Sequence, residues 1–126
     1  MKKIKLIFLL IYISLFINSF GQKNCENFKT GNFTYKEVPF NKTKVKRTKK
    51  FQFEHNKLDG MRLKFQIVWM SPCEYHLTYL KINDKSFKNL IGKKLTVKIT
   101  EIIDSKTYKY IADYYGEKTS FTMIKD

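Results

Sequence analysis

The chain has 126 residues, with 25 Lys plus Arg against 11 Asp plus Glu and a formal net charge of +14. That length excludes two independent hydrophobic cores and leaves room for one domain. The charge disfavours a basic partner and favours polyanions such as nucleic acid, phosphate-bearing head groups or acidic polysaccharide. Nearly all the basic residues are lysines, Arg47 and Arg62 being the only arginines, and Lys, Asn and Ile are common throughout. Compositional bias is therefore the favoured account of the charge, with a polyanion-binding surface as the alternative.

Lys2, Lys3 and Lys5 open the chain, Leu6 to Ile17 are apolar, and Ser19 and Gly21 make a small-x-small site. This is the pattern of a cleavable signal peptide over residues 1–21, which leaves a domain over 22–126 with about +11 charge. A membrane span needs about 20 apolar residues, more than this run supplies. The protein is accordingly expected to be exported, to the periplasm or beyond the cell. Gln22-Lys23-Asn24 precede Cys25, and large polar residues there argue against a lipid anchor on that cysteine.

Cys25 and Cys73 are the only cysteines. In an exported small domain an even count reads as a disulfide, here closing a loop of about 49 residues and contributing roughly 4 kcal/mol by chain entropy. A free thiol or an intermolecular bridge is the alternative. Cys25, Cys73, His55 and His76 lack the close paired spacing of zinc ligands, so no metal or other cofactor is expected.

Beyond the leader, apolar residues recur at period two, the pattern of strands with one buried face. Phe33 and Tyr35 mark a first strand, Val45 to Arg47 a second and Phe51 to Glu54 a third, with Phe51 and Phe53 expected inside. A turn at Lys57 to Gly60 leads into Met61, Leu63, Phe65, Ile67 and Trp69, which alternate with Arg62, Lys64 and Gln66; Val68 breaks the pattern. Across Met70-Ser71-Pro72, a fifth strand places Cys73, Tyr75, Leu77 and Tyr79 on one face and Glu74, His76 and Thr78 on the other. Ser86 to Ile91 form the one helix candidate, ended by Gly92. Leu95, Val97 and Ile99, then Tyr108, Tyr110, Ala112 and Tyr114, then Phe121 and Met123 give a closing three-strand meander, with turns at Asp104-Ser105-Lys106 and Tyr115-Gly116-Glu117.

About eight short strands in hairpin order predict an all-β fold: a small antiparallel up-and-down barrel or a strongly curved sheet, with at most one short helix near 86–91. Closure is favoured because it removes sheet edges. Phe33, Tyr35, Phe65, Trp69, Tyr75, Tyr79, Tyr108 and Tyr110 should face the interior. That set is bulky, which favours a barrel filled by its own side chains over one with a ligand cavity.

No nucleophile stands beside a base, no carboxylate pair is signalled, and glycines occur singly, so no catalytic residue is predicted. His55 borders a turn and His76 lies on an outward strand face. The dense polar feature is Lys42-Thr-Lys44-Val-Lys46-Arg47-Thr-Lys49-Lys50. Lys42, Lys44, Lys46, Arg47, Lys49 and Lys50 form either a ridge that meets phosphates or sulfates, or a solvated edge whose charges block strand addition. Asn32-Phe-Thr34 and Asn41-Lys-Thr43 match the glycosylation sequon but count for little in a bacterial export context.

Cys25-Glu-Asn-Phe28-Lys29-Thr30-Gly31-Asn-Phe33-Thr-Tyr35 and Trp69-Met-Ser-Pro-Cys73-Glu74-Tyr75-His-Leu77 resemble a group of small exported proteins of the Bacteroidota, some of them labelled DNA topoisomerase IV. Val45-Lys-Arg47 and Phe51-Gln-Phe53-Glu54 look like the same group's strand pair, so the likeness covers most of the chain after the leader. The chain departs from that group in its lysine-rich segments and in lacking a lipid-attachment cysteine. The topoisomerase label fails physically, because strand passage needs a nucleophilic tyrosine in a DNA-gated assembly or an ATP site with phosphate-cradling glycines. A second likeness, to lipocalin and fatty-acid-binding barrels, rests on Gly31-Asn-Phe33, which approximates their first-strand Gly-x-Trp. The expected function is a non-enzymatic binding or interaction module, with a carrier of a small apolar ligand as one alternative and a polyanion-binding surface as another. Cytosolic DNA is an unsuitable partner for an exported chain.

Overall fold

The computed structural model describes residues 24–126; the predicted signal peptide and its cleavage site lie outside the described residues. The strands are β1 (Gly31–Tyr35), β2 (Thr43–Arg47), β3 (Phe51–Asn56), β4 (Arg62–Ser71), β5 (Glu74–Ile82), β6 (Lys94–Asp104), β7 (Thr107–Tyr114) and β8 (Glu117–Lys125). They form one closed antiparallel barrel in sequence order. Closure is made by β1 against β8, where Phe33 pairs with Lys125 and Tyr35 with Met123.

The long strands bend enough to close because their ladders are broken by register shifts. These fall between Lys64 and Phe65 and between Trp69 and Ser71 in β4, and between Ile99 and Glu101 and between Ile102 and Asp104 in β6. An extra residue on one strand raises local twist and turns a flat ladder into a corner. Alternation continues through the shift after Lys64, and Val68 points outward at 46% exposure. The β7–β8 hairpin turns on Tyr115 (φ 49°) and Gly116 (φ 95°), the two positive-φ residues that a twist-matched two-residue hairpin requires. The segment expected as a short helix is a 3-10 turn over Lys85–Leu90, begun by Asp84, whose carboxylate accepts from the Ser86 backbone N–H at 3.0 Å.

The two ends of the barrel differ. At the end where β1 begins and β8 finishes, the 3-10 turn Glu26–Phe28 lies over the opening with Phe28 fully buried. Cys25 is disulfide-bonded to Cys73 with their Cα atoms 5.3 Å apart, so the turn is pinned to the β4–β5 hairpin. Below it pack Phe33, Val45, Phe65, Ile67, Tyr75, Val97, Ile99, Tyr108 and Met123, all buried. Burying each such large apolar side chain contributes about 1.5–3 kcal/mol. Gly31, at φ 132°, starts β1 where the Lys125 side chain passes within 2.7 Å of the position a Cβ would take, so a larger residue there would strain both backbone and contact. Because an even number of antiparallel strands returns the chain to its starting end, residue 126 also lies here, with its backbone N–H donating to the Asn32 carbonyl at 2.8 Å.

The eight residues expected inside do face the interior: Phe33, Phe65, Tyr75, Tyr108 and Tyr110 are buried, and Tyr35, Trp69 and Tyr79 pack against them. Strand β3 reverses its expected orientation. Gln52 is buried and Glu54 points inward with it, whereas Phe53 is 37% exposed and Phe51 lies on the same outer face. The outward rings are accommodated by Lys64, whose ammonium lies 4.4 Å from the Phe51 ring centroid and 5.7 Å from that of Phe53.

Candidate functional site

The inward face of β2 and β3 carries a polar chain through the barrel. Register places Arg47 opposite Gln52 and Val45 opposite Glu54, and period two keeps Thr43, Val45 and Arg47 on the buried face. Arg47, expected on the surface with its neighbouring lysines, is 2% exposed. Its Nε donates to Gln52 Oε1 at 2.9 Å and its Nη1 to the Phe28 carbonyl at 2.7 Å. Its Nη2 donates to both the Tyr75 and Tyr108 hydroxyls at 3.1 Å. The guanidinium carbon also sits 4.6 Å from the Phe33 ring centroid and 4.9 Å from that of Tyr75. Burial opposes this charge while the phenolic oxygens of Tyr108 and Tyr75 favour it, and the balance holds the pKa above the usual arginine value. A buried guanidinium so fully engaged is structural, fixing Phe28 over the sealed end and the tyrosines around it.

Gln52 hands the chain on toward the other end, its Nε2 donating to Glu54 Oε2 at 3.0 Å. The Tyr35 hydroxyl donates to Glu54 Oε1 at 2.8 Å. Burial raises the Glu54 pKa above the ordinary carboxylate value, against the opposing pull of the hydrogen bonds from Tyr35 and Gln52 and the charge of Arg47. Burial also raises Tyr35, Tyr79 and Tyr110, with Glu54 adding to each. These tyrosines are therefore neutral hydroxyls at physiological pH, able to donate and accept.

Around Glu54 the barrel is open. A cavity of about 220 Å³ occupies this half of the interior, with Tyr35, Gln52, Glu54, Tyr79, Tyr110 and Phe121 in its wall. It meets a second hollow of about 290 Å³ at the mouth, where Phe40, Thr43, Asn56, Asp59 and Met61 form the rim. The two share Tyr35, Glu54 and Phe121. The interior is thus filled at the sealed end, as the bulk of its aromatics predicts, and hollow at the other. Glu54 and Tyr35 retain solvent-accessible surface because they face this space. Edge-to-face contacts of Phe121 with Tyr35 at 5.7 Å and with Phe40 at 5.2 Å hold the mouth's aromatic wall in one arrangement.

Sequence reasoning missed Gln52, Glu54 and Phe121 as cavity residues. The signal was present in the strand parity: a buried Val45 puts Arg47 inward, and an antiparallel partner for Arg47 must then present an inward acceptor.

The remaining members of the basic segment, Lys42, Lys44, Lys46, Lys49 and Lys50, are exposed. They do not stand alone. Asn32, Lys46, Phe53, Lys64 and Lys81 are paired in turn across β1 to β5, forming one row on the outer face. Beside it Lys44, His55 and Arg62 form a second row. A groove of about 310 Å³ lies among Lys44, Lys46, Phe53, His55 and Arg62. His76 is half-buried on the outside, opposite Val68 and Thr96.

Among the described residues no group of three or more His, Cys, Asp or Glu is placed to hold a metal ion, and no helix is long and apolar enough to cross a membrane. No family model, curated protein or solved structure matches the chain.

Proposed function

We propose that this protein is a binding module whose barrel takes one small ligand through its open end. The observation that carries the reading is the cavity of about 220 Å³, joined to the mouth and floored by Glu54 and Gln52. Ligand sites combine an apolar, aromatic wall with a few fixed polar groups, and the inner cavity of about 220 Å³ suits a small ligand. Glu54, Tyr35 and Gln52 are held by one another and by Arg47, which spares the ligand the cost of organising them. The role is carriage or sensing. The Cys25–Cys73 bridge supports an oxidising compartment, in keeping with export through the predicted leader.

Proton NMR titration with a panel of neutral, cationic and anionic aromatic molecules of about ten heavy atoms tests this reading. At least one member should give saturable shifts at the cavity residues, lost when Ala112→Phe fills the wall. Absence of saturation by every member, or binding undiminished in the filled variant, would refute it.

The lysine rows favour a second reading, an acidic polysaccharide laid across the outer face of β1 to β5. Phe53 stands between Lys46 and Lys64 in the same row, so a sugar ring and its flanking sulfates or carboxylates have matching partners. Heparin retention that weakens steeply with salt would support it; retention insensitive to salt would not.

A further inference from the structure

The protein is basic nearly everywhere except inside its open end. Against 25 Lys plus Arg in the chain, the residues lining the cavity and its mouth include two carboxylates, Glu54 and Asp59, and no lysine or arginine. The lysines of β2 and β4 alternate outward, and Arg47 is drawn to the sealed end, where its contacts are with Phe28, Gln52, Tyr75 and Tyr108. We propose that the open end is a site for a small organic cation, a protonated amine on an aromatic or short alkyl body, with Glu54 as its counter-ion. This rests on the ligand-binding reading above and names the chemical class of that ligand.

Three features converge on a cation. A carboxylate offers about four lone-pair directions, and Glu54 uses its contacts with Tyr35 and Gln52 to fix its plane while leaving acceptor capacity toward the cavity. An ammonium brings three donors and would replace water there with charge-assisted hydrogen bonds. The wall includes Tyr35, Tyr79, Tyr110 and Phe121; aromatic ring faces carry partial negative charge and attract a cation within about 6 Å. Finally, Asp59 stands exposed at the rim, one oxygen accepting from the Met61 backbone N–H at 2.9 Å, a second carboxylate among the residues lining the mouth.

An anionic ligand would meet Glu54 with no cation beside it in the cavity wall, a repulsion strengthened by the low dielectric. A neutral ligand would gain the aromatic contacts but forgo the ion pair. The discriminating experiment uses three molecules that share a phenylethyl body, 2-phenylethylamine, 2-phenylethanol and the slightly larger 3-phenylpropanoate, titrated into the intact protein by calorimetry and NMR. The amine is expected to bind at least about tenfold more tightly than the alcohol, a preference of about 1.4 kcal/mol, and the carboxylate not at all. Glu54→Gln should remove the preference for the amine, bringing amine and alcohol to equal affinity.

A pH series on the unmodified protein gives an independent readout. The groups facing Glu54 are Tyr35 from β1, Tyr79 from β5 and Tyr110 from β7, with Arg47 of β2 acting through Gln52 of β3. The tyrosines remain neutral and Arg47 charged across the acid range, and an aliphatic amine keeps its proton near pKa 10 or above. Glu54, whose pKa is raised, is therefore the group that changes. Amine affinity should fall as pH drops through its titration, and alcohol affinity should stay level. Equal affinity for amine and alcohol at neutral pH would overturn the cation assignment but leave the ligand-binding reading standing. Failure of all three together with the wider panel would remove both. Selective amine binding that survives Glu54→Gln, or that shows no acid dependence, would also overturn the assignment.

Discussion

The two ends of this barrel each bury a charge, and they use it in opposite ways. At the sealed end Arg47 spends its donors on Phe28, Gln52, Tyr75 and Tyr108 and has the rings of Phe33 and Tyr75 nearby. At the open end Glu54 accepts from Tyr35 and Gln52 and still faces a cavity. Gln52 touches both. A buried ion whose hydrogen bonds are consumed by its own chain organises the fold; one that keeps capacity beside an empty space is available to something else. Burial differs accordingly: Arg47 is 2% exposed, whereas Glu54 keeps solvent-accessible surface toward the cavity.

The sharpest way to break this contrast is to remove the charge at the sealed end. Arg47→Met should cost about 3–5 kcal/mol, since the Phe28 carbonyl and the acceptors of Gln52, Tyr75 and Tyr108 lose their donor in a dry environment. Urea denaturation measures it; a loss under about 1 kcal/mol would mean that the network is incidental. Next in size, replacing Cys25 and Cys73 together by Ser should cost about 2–4 kcal/mol, with the damage concentrated at the sealed end. Hydrogen exchange should then show the amides of residues 25–31 losing protection while β6 and β7 keep theirs, and uniform loss would contradict the separation of the two ends. The smallest effect on stability is expected outside the barrel. Lys46→Glu combined with Lys64→Glu should change stability by less than about 1 kcal/mol and leave amine binding intact, while heparin retention falls. A variant that lost amine binding would show that the outer rows and the cavity are not independent.

Much of the architecture was legible because alternation is strong where both partners of a strand pair are apolar inside. Leu63, Phe65, Ile67 and Trp69 on β4 and Tyr75, Leu77 and Tyr79 on β5 declare their faces without help from neighbours. The candidate site was obscured for a physical reason. In Phe51-Gln52-Phe53-Glu54 the larger apolar residues point out, and their rings are covered by the stem and ammonium of Lys64, so hydrophobicity assigned the wrong face to β3. The inward Gln52 and Glu54 are tolerated because Arg47 and Tyr35 satisfy them, contacts between strands that no single-strand pattern contains. Arg47 looked like part of a lysine run by composition. Its parity with Val45 was the better guide, because side-chain direction in a strand is fixed by count rather than by chemistry. The cavity itself depends on how much of the interior the tyrosines fill, a matter of packing in three dimensions.

An even strand count has a practical meaning for anyone who handles or tethers this protein. Cys25 is locked to the β4–β5 hairpin and the backbone N–H of Asp126 is bonded beside the start of β1, so both ends of the described chain leave from the sealed side. Immobilised through a linker after residue 126, every molecule would stand with its mouth away from the support, and a fused reporter would sit a full barrel length from the cavity. Orientation comes with the topology, because residues 25 and 126 both lie on the side opposite the entrance.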